Sequence, residues 1–175
     1  MKYANMKLRI ATFFIFLLLF SIAFQIGATS QISDEDANAF IQEFLSNTQE
    51  ITGIEIFLNN LQAALPMFVP GFGIIWGSYT AWSTGMGFAS MVSMAPALAE
   101  IAPLSILYMS PFGFMELVAY AIAMSRSLHI VLALIKRKYL KDMIKPTTIE
   151  FGIVIGILLA AGYLEEYMIS AAQGM

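Results

Sequence analysis

Ser125 and His129 have the residue types of a nucleophile and its general base, and they stand four residues apart. On a helix this spacing places both side chains on one face, within reach of a hydrogen bond. A catalytic couple also needs a third group that orients the histidine and donors that stabilise an oxyanion. The sequence places no such acid or loop beside the pair, so we expect His129 to be a hydrogen-bonded histidine near the end of a helix.

Glu165 and Glu166 form a pair of adjacent carboxylates. Similar pairs occur in membrane proteases that process prenylated substrates, but those enzymes also require several histidines, and this chain has one. The chain has no cysteine, which excludes a thiol nucleophile, a thiolate metal site and a disulfide framework. One histidine does not make a zinc or copper site unless a partner supplies the other ligands. We therefore expect a protein with no catalytic residue, no metal and no cofactor.

The elements that must carry these polar residues are strongly apolar. Of the 175 residues, 59% are hydrophobic and 12% are charged, and the mean hydropathy is +0.75. A helix that crosses a bilayer needs roughly 20 mostly apolar residues. The sequence therefore predicts an all-α fold, a polytopic transmembrane helical bundle. Four stretches reach or approach the required length: Ile10–Ile26, Pro66–Ala89, Gly113–Ile135 and Glu150–Leu164.

Charge is segregated along the chain and indicates its orientation in the membrane. Lys2, Lys7 and Arg9 precede the first apolar stretch, and Lys136–Lys145 holds the densest basic cluster. Residues 30–60 contain six acids and neither lysine nor arginine. Because basic residues beside spanning segments stay on the cytoplasmic side, we expect the N-terminus and the basic cluster inside. The acidic segment and the C-terminus are then extracytoplasmic, in a multi-pass protein of the cell membrane.

About five spanning helices satisfy these charge signals. Prolines and glycines interrupt the middle of the chain, and non-helical backbone at membrane depth is tolerated only inside protein. We therefore expect kinked or re-entrant segments there. The predicted passes are the first apolar stretch outward, residues 59–87 inward, residues 88–109 outward or re-entrant, Phe112–Ile135 inward and Glu150–Leu164 outward.

The chain divides into three parts. Residues 1–29 form an N-terminal transmembrane helix of the signal-anchor type, residues 30–58 an acidic extracytoplasmic segment, and residues 59–175 a transmembrane bundle. The first part could instead be a cleaved signal peptide. Ile26 is not a small residue at the position where cleavage would require one, and the apolar stretch is long, so we favour a retained helix.

The acidic segment contains an amphipathic helix. Ser33 is placed as its N-cap, with Asp36 three residues later in the position of a capping box. One face is apolar and the other acidic, so the apolar stripe could rest on lipid, dock a partner or pack on its own bundle, which we favour. The stripe has helical spacing and consists of Ala37, Phe40, Ile41, Phe44 and Leu45.

Three short patterns succeed one another in the second half of the chain. Their order and spacing resemble those of the stage II sporulation protein M family, over about Asn59–Met168. The patterns are Asn59-Asn60 before a helix with Gly71, Gly77 and Gly85; Pro111-Phe112-Gly113-Phe114-Met115-Glu116, which is similar to Pro-His-Gly-x-x-Glu; and Leu164-Glu165 near the end of an apolar helix. Phe112 stands where the family usually has histidine, and Thr84-Gly85 where Asn-Gly is common.

The resemblance implies a non-enzymatic membrane component, because such proteins anchor cell-wall remodelling enzymes in spore-forming bacteria. We expect a scaffold or complex subunit whose partners are the lipid bilayer and other membrane or envelope proteins, further copies of the chain, or both, and not nucleic acid. The alternative is an oligomeric transporter or channel for a small solute or an ion. Proline-broken helices and an intramembrane Glu100 are typical of solute pathways, but the chain is short and has no internal repeat.

Several polar residues fall inside apolar segments, where ionisable groups are costly and face protein or water. Glu116 is expected to be stabilised by the start of its helix, with ion or partner binding as the alternative. Arg126 lies ten residues later, about 15 Å along the axis, and therefore cannot pair with Glu116. Glu100 could reach one of them. Glycines at helical spacing allow close helix packing; we assign this role to Gly71, Gly77 and Gly85.

The orientation can be tested by single-cysteine labelling, because the native chain has no cysteine. An impermeant thiol reagent added to intact cells is expected to label a cysteine placed at Asn38 and to spare one placed at Lys141. Labelling at Lys141 together with protection at Asn38 would invert the predicted topology.

Overall fold

A computed structural model describes residues 2–33, 35, 37–40, 42, 52–136 and 141–173 of the chain. These residues are helices joined by short turns, with no strand among them, so the all-α class is confirmed for this part of the chain. The helices are α1 Lys2–Ala28, α2 Gly53–Ala64, α3 Phe72–Met94, α4 Pro103–Tyr108, α5 Pro111–Ile135 and α6 Lys141–Gln173, with 3-10 helices at Leu65–Phe68 and Pro96–Glu100.

Three helices within the described residues are long and apolar enough to cross a membrane, against the five predicted. They are Met6–Ala28 in α1, Pro111–Ile135 in α5 and Lys141–Ala172 in α6. The last is much longer than the predicted Glu150–Leu164, because the helix continues through Pro146, which stands near its start. α3 has 23 residues and no charge, but its many glycine and hydroxyl residues lower its hydropathy.

One face of α1 supplies much of the core. Phe16, Phe20 and Phe24 recur every fourth residue and are at most 4% exposed, and the ring of Phe20 stacks on Tyr120 of α5 at 5.4 Å between centroids. The opposite face is apolar as well, yet exposed, with Leu18 at 59%. An apolar face exposed beside a packed face is what a helix at the rim of a membrane bundle requires.

The helices α1, α5 and α6 run alternately up and down between two ends of the bundle. At the end that we call the basic end, Arg9 of α1 contacts Ser125 of α5 and Glu150 of α6. At the other end, which we call the acidic end, Gly53 at the start of α2 lies against Glu166 of α6. Since α5 ends and α6 begins near the basic end, α5 is antiparallel to both of its neighbours.

The predicted inward helix over residues 59–87 is wrong, because the chain reverses its direction within that range. α2 and its 3-10 extension run along α6 from the acidic end toward the basic end, where Phe68 meets Phe151 at 5.3 Å between ring centroids. The prolines at 66 and 70 then end the helix, since proline lacks the N–H that a helix interior requires. α3 starts again at Phe72 and runs back toward the acidic end.

Gly71 makes this reversal. Its φ of 77° is in the left-handed region, which glycine adopts without steric cost. Its N–H donates to Ser127 Oγ of α5 at 2.9 Å, and Ser127 in turn donates to the Val69 carbonyl at 2.7 Å. Gly71 is therefore a turn residue that α5 holds in place, and not the helix-packing residue predicted from its spacing.

The expected outward pass over residues 88–109 is also wrong, because residues 88–94 belong to α3, which begins at Phe72. Beyond α3 the chain forms a proline-broken pair of short helices at residues 96–100 and 103–108. The second of these, α4, packs on its neighbours through a 2.7 Å hydrogen bond between the hydroxyls of Tyr108 and Ser21. The pair links α3 to α5.

Part of the acidic segment packs on the bundle. Among its described residues, 35, 37–40 and 42 are helical, Ala37 is buried, and the ring of Phe40 covers Gly87 of α3. The backbone N–H of Ala37 donates to the Ser33 carbonyl, which puts Ser33 at the helix start. These contacts agree with packing on the protein's own bundle. The remaining residues predicted for the cap and the stripe, Asp36, Ile41, Phe44 and Leu45, lie outside the described residues.

α2 begins with the capping box that Thr52 and Glu55 form. The Glu55 N–H donates to Thr52 Oγ1 at 3.4 Å, and the Thr52 N–H donates to the Glu55 carboxylate at 2.8 Å. Thr52 Oγ1 also donates to the Glu55 carboxylate at 2.8 Å.

Glycines bring α1 and α3 into backbone contact. A Cβ at Gly85 would overlap the Phe24 carbonyl of α1, and a Cβ at Gly27 would overlap the Trp82 carbonyl of α3. Gly77 instead faces the flexible side chain of Met124 in α5, with 2.5 Å from an added Cβ to the Met124 sulfur. The packing roles predicted for Gly77 and Gly85 correspond to these contacts.

Replacing Gly85 by leucine is expected to destabilise the bundle by about 1–3 kcal/mol, because the side chain must push α1 and α3 apart. Gly156→Leu is the matched control, since nothing lies within 4 Å of a Cβ at this helical glycine. Thermal unfolding of the detergent-purified variants measures the difference. Equal stabilities of the two variants would contradict the α1–α3 contact.

Candidate functional site: two polar clusters in the bundle

At the basic end, Glu150 accepts hydrogen bonds from two arginines. Arg126 binds it in a bidentate manner, with Nε at 2.6 Å from Oε2 and Nη2 on Oε1, and Arg9 reaches Oε1 through Nη2. The Arg126 side chain is 4% exposed. We call these three residues the ion triad. The ion triad joins α1, α5 and α6. The charged side chain of each of these helices is therefore held in place by the charged side chains of the other two.

Hydroxyl groups extend the ion triad toward His129. Thr12 Oγ1 of α1 lies 2.9 Å from both Ser125 Oγ and His129 Nε2, and Arg9 Nη1 donates to Ser125 at 3.3 Å. Thr12 therefore stands between the two residues that sequence spacing paired as nucleophile and base. His129 is a hydrogen-bonded histidine near the end of α5, as expected.

At the acidic end, Asn60 of α2 connects two polar residues of α5. Its amide Nδ2 donates to Glu116 Oε1 at 2.6 Å, and its carbonyl Oδ1 accepts from the Tyr120 hydroxyl at 3.1 Å. Glu165 of α6 is close enough to interact electrostatically with Glu116. We call these four residues the amide cluster. In it, the Glu116 carboxylate is paired with an amide instead of with a cation.

Glu116 does not stabilise the start of α5, contrary to the expectation. The helix begins at Pro111, and the N-cap is Ser110, whose Oγ accepts from the Gly113 N–H at 2.9 Å. A Cβ at Gly113 would overlap the Ile106 carbonyl of α4. Pro111 and Gly113 thus serve the turn from α4 into α5, while Glu116, further along the helix, faces Asn60.

Glu100 and Asn59 lie outside both clusters. Glu100 is exposed on the second 3-10 helix, and Asn59 is exposed on α2. Arg126 and Glu116, the residues that Glu100 is expected to reach, bind Glu150 and Asn60 instead.

Sequence reasoning misses several residues of the two clusters. The apolar pattern places Glu150 at the start of the last helix, although it lies nine residues inside α6. For Thr12, the signal available in the sequence is a polar residue within an apolar stretch. Tyr120 has no distinctive sequence pattern, because the approach of α2 brings Asn60 to it. The same holds for Ser127, which lies outside the two clusters and contacts the Gly71 turn.

These features define the class of the protein: an all-helical integral membrane protein with polar clusters buried between its helices. The chain belongs to the stage II sporulation protein M family, whose profile matches residues 10–170. The match includes most of α1 and the acidic segment, and so extends beyond the range of about Asn59–Met168 that the short patterns cover. No curated protein and no solved structure gives a significant match.

Glu150→Gln is expected to lower the free energy of unfolding by about 3–5 kcal/mol, because it leaves Arg126 buried without a counter-charge. Glu100→Gln removes the same charge at an exposed position and serves as the control. Unfolding in detergent, monitored by tryptophan fluorescence, compares the two. A Glu150→Gln variant as stable as the control would show that the ion triad does not hold the helices together.

Proposed function

We propose that this protein is a non-enzymatic scaffold, or a subunit of a membrane protein complex, linked to remodelling of the cell envelope. The observation that carries the proposal is that hydrogen bonds within each polar cluster join different helices and that apolar residues fill the space between the clusters. Such contacts keep the helices in a fixed arrangement, and a scaffold needs a fixed arrangement.

The layer between the two clusters supports this proposal over transport. Ala121 and Met124 of α5 are fully buried between the amide cluster and the ion triad, and Phe20 of α1 is 2% exposed beside them. A solute or ion pathway needs polar groups or water along its length. None of these three side chains brings a polar group that would join the two clusters.

An aromatic ladder along α3 is the surface that we assign to contacts outside the bundle. Phe72, Trp76, Tyr79 and Trp82 form a continuous row with ring centroids 5.8–6.0 Å apart, and Tyr79 is 54% exposed. Aromatic residues are enriched in protein interfaces. Partner membrane or envelope proteins, further copies of the chain and lipid are the occupants that this surface suits.

We further propose five passes through the membrane, with the N-terminus in the cytoplasm and the C-terminus outside. In this arrangement α1 runs outward, α2 with its 3-10 extension inward, α3 outward, α5 inward and α6 outward. The contact of Arg9 with Ser125 and Glu150 supports it, because it brings the N-terminal basic residues and those around Lys136 to one end. Basic residues favour the cytoplasmic side.

The scaffold proposal is tested by isolating the tagged chain from its native membrane in a mild detergent. Foreign membrane or envelope proteins in fixed stoichiometry are the expected result, and substitution of Tyr79 by serine in the aromatic ladder is expected to reduce them. Tyr163→Ser, a similarly exposed tyrosine on α6 (53%), is the matched control. Recovery of the chain as a pure homo-oligomer would contradict the scaffold and favour transport.

Transport is the second candidate because one observation favours it. Glu116 and Glu165 lie within electrostatic reach of each other between spanning helices, and paired carboxylates at such depth are typical of proton or ion relays. A pathway through this short chain would require an oligomer.

Substitution of Glu116 separates the two functions. Glutamine keeps an oxygen that accepts from Asn60 and removes the charge, whereas alanine removes both. The scaffold proposal therefore predicts that Glu116→Gln assembles nearly normally and that Glu116→Ala loses about 1–3 kcal/mol of stability, since the half-buried Asn60 amide is left unpaired. Glu100→Ala is the exposed control. A Gln variant that assembles normally but loses a proton or ion flux in proteoliposomes would establish transport instead.

A further inference from the structure

A cavity of about 530 Å³ opens at the basic end of the bundle, between the N-terminal part of α1, the last turns of α5 and the first turns of α6. The ion triad forms its inner wall, and Lys136 lies at the end of α5 on its rim. The volume lies within the range of small-molecule binding sites, roughly 300–1,000 Å³. Neither the aromatic ladder nor the amide cluster contributes to it.

The charged groups around this cavity are unbalanced. Arg9, Arg126 and Lys136 bring three positive charges, and Glu150 brings one negative charge. Glu150 already accepts from both arginines and cannot neutralise both. Lys136 is exposed and has no salt bridge to any other residue that the structure describes. A negatively charged group at the mouth of the cavity would compensate this excess charge.

Apart from His129, the rest of the lining is apolar, so the ligand must also have an apolar part. We propose that the cavity binds one anionic phospholipid, whose phosphate lies against Arg9 and Lys136 and whose acyl chain runs along the apolar wall. Basic pockets between transmembrane helices are suited to anionic headgroups for this reason. The apolar wall consists of Met6, Leu8, Leu132, Ala133, Met143 and Pro146.

The surroundings of the cavity favour a lipid over a soluble anion. Next to its lining residues in the sequence, Ile135 is 72% exposed and Ile144 is 62% exposed. These side chains extend the apolar wall onto the outer face of the bundle, where lipid tails lie in a spanning protein. A phospholipid of the adjacent leaflet can therefore enter from the side, with its tail already in an apolar environment.

The proposal is tested with the full chain in mild detergent, by native mass spectrometry during titration with dioleoyl phosphatidylglycerol. One molecule is expected to bind per chain, at least tenfold more tightly than dioleoyl phosphatidylcholine. Inorganic phosphate is added in a parallel thermal-shift measurement and is expected to have no effect at concentrations that saturate the lipid. Equal binding of the two lipids, or stabilisation by phosphate equal to that by phosphatidylglycerol, overturns the assignment.

Two lysines of the basic end provide a matched pair for the headgroup contact. Lys136 lines the cavity, whereas Lys141, exposed at the start of α6, does not. Lys136→Gln is expected to weaken phosphatidylglycerol binding about fivefold, and Lys141→Gln less than twofold. Equal losses of phosphatidylglycerol binding in the two variants would show that the lysines attract the lipid by their charge alone, without a defined site. No loss of binding in either variant would also overturn the proposal.

Two exposed residues of α1 provide the pair for the acyl-chain contact. Leu8 lines the cavity and is 41% exposed, whereas Ile10 is 52% exposed and lies outside it. Leu8→Trp fills part of the cavity without changing its charge and is expected to weaken lipid binding several-fold, while Ile10→Trp leaves it unchanged. Undiminished binding by a folded Leu8→Trp variant would exclude the acyl chain from this wall.

Discussion

The carboxylate of Glu150, shared between Arg9 and Arg126, is the interaction on which the arrangement of the three long helices depends. Charges removed from water are costly, and attraction repays that cost only when the hydrogen-bond geometry is good. Arg126 reaches this condition through two nitrogens. Sliding α1, α5 or α6 by one turn would leave a buried charge without its partner, so the ion triad fixes the register of all three. The same shared carboxylate leaves positive charge in excess at the basic end.

The amide cluster holds the opposite end by different chemistry. Asn60 satisfies Glu116 and Tyr120 with its two polar atoms, so α2 is positioned on α5 without any cation. A hydrogen bond in a low-dielectric interior is strong when it is made and costly when it is lost. The two ends of the bundle are therefore both specified by buried polar contacts. The apolar layer between them stabilises the bundle by packing, whereas the polar contacts fix the register of the helices.

Direct backbone contacts between α1 and α3 complete the bundle. Gly27 and Gly85 let α1 and α3 approach until carbonyl groups of one helix face glycines of the other, as small residues do in membrane helix pairs. Gly71 and Ser127 hold the reversal that brings α3 to α1 in the first place. The aromatic ladder is consequently displayed on the outside of α3, because its glycine face is turned inward.

Hydropathy, charge segregation and short motifs are local properties of the amino-acid sequence. From them, the sequence alone establishes the all-helical class, the α1, α5 and α6 spans and the family resemblance. It also identifies Gly77, Gly85, Glu116 and Asn60 as positions of interest. The packed bundle was needed to show that residues 59–87 reverse at Gly71, that Glu150 is the partner of Arg126, and that Thr12 separates Ser125 from His129. These contacts join residues 24–117 positions apart, and which distant helix faces meet depends on how the whole bundle packs.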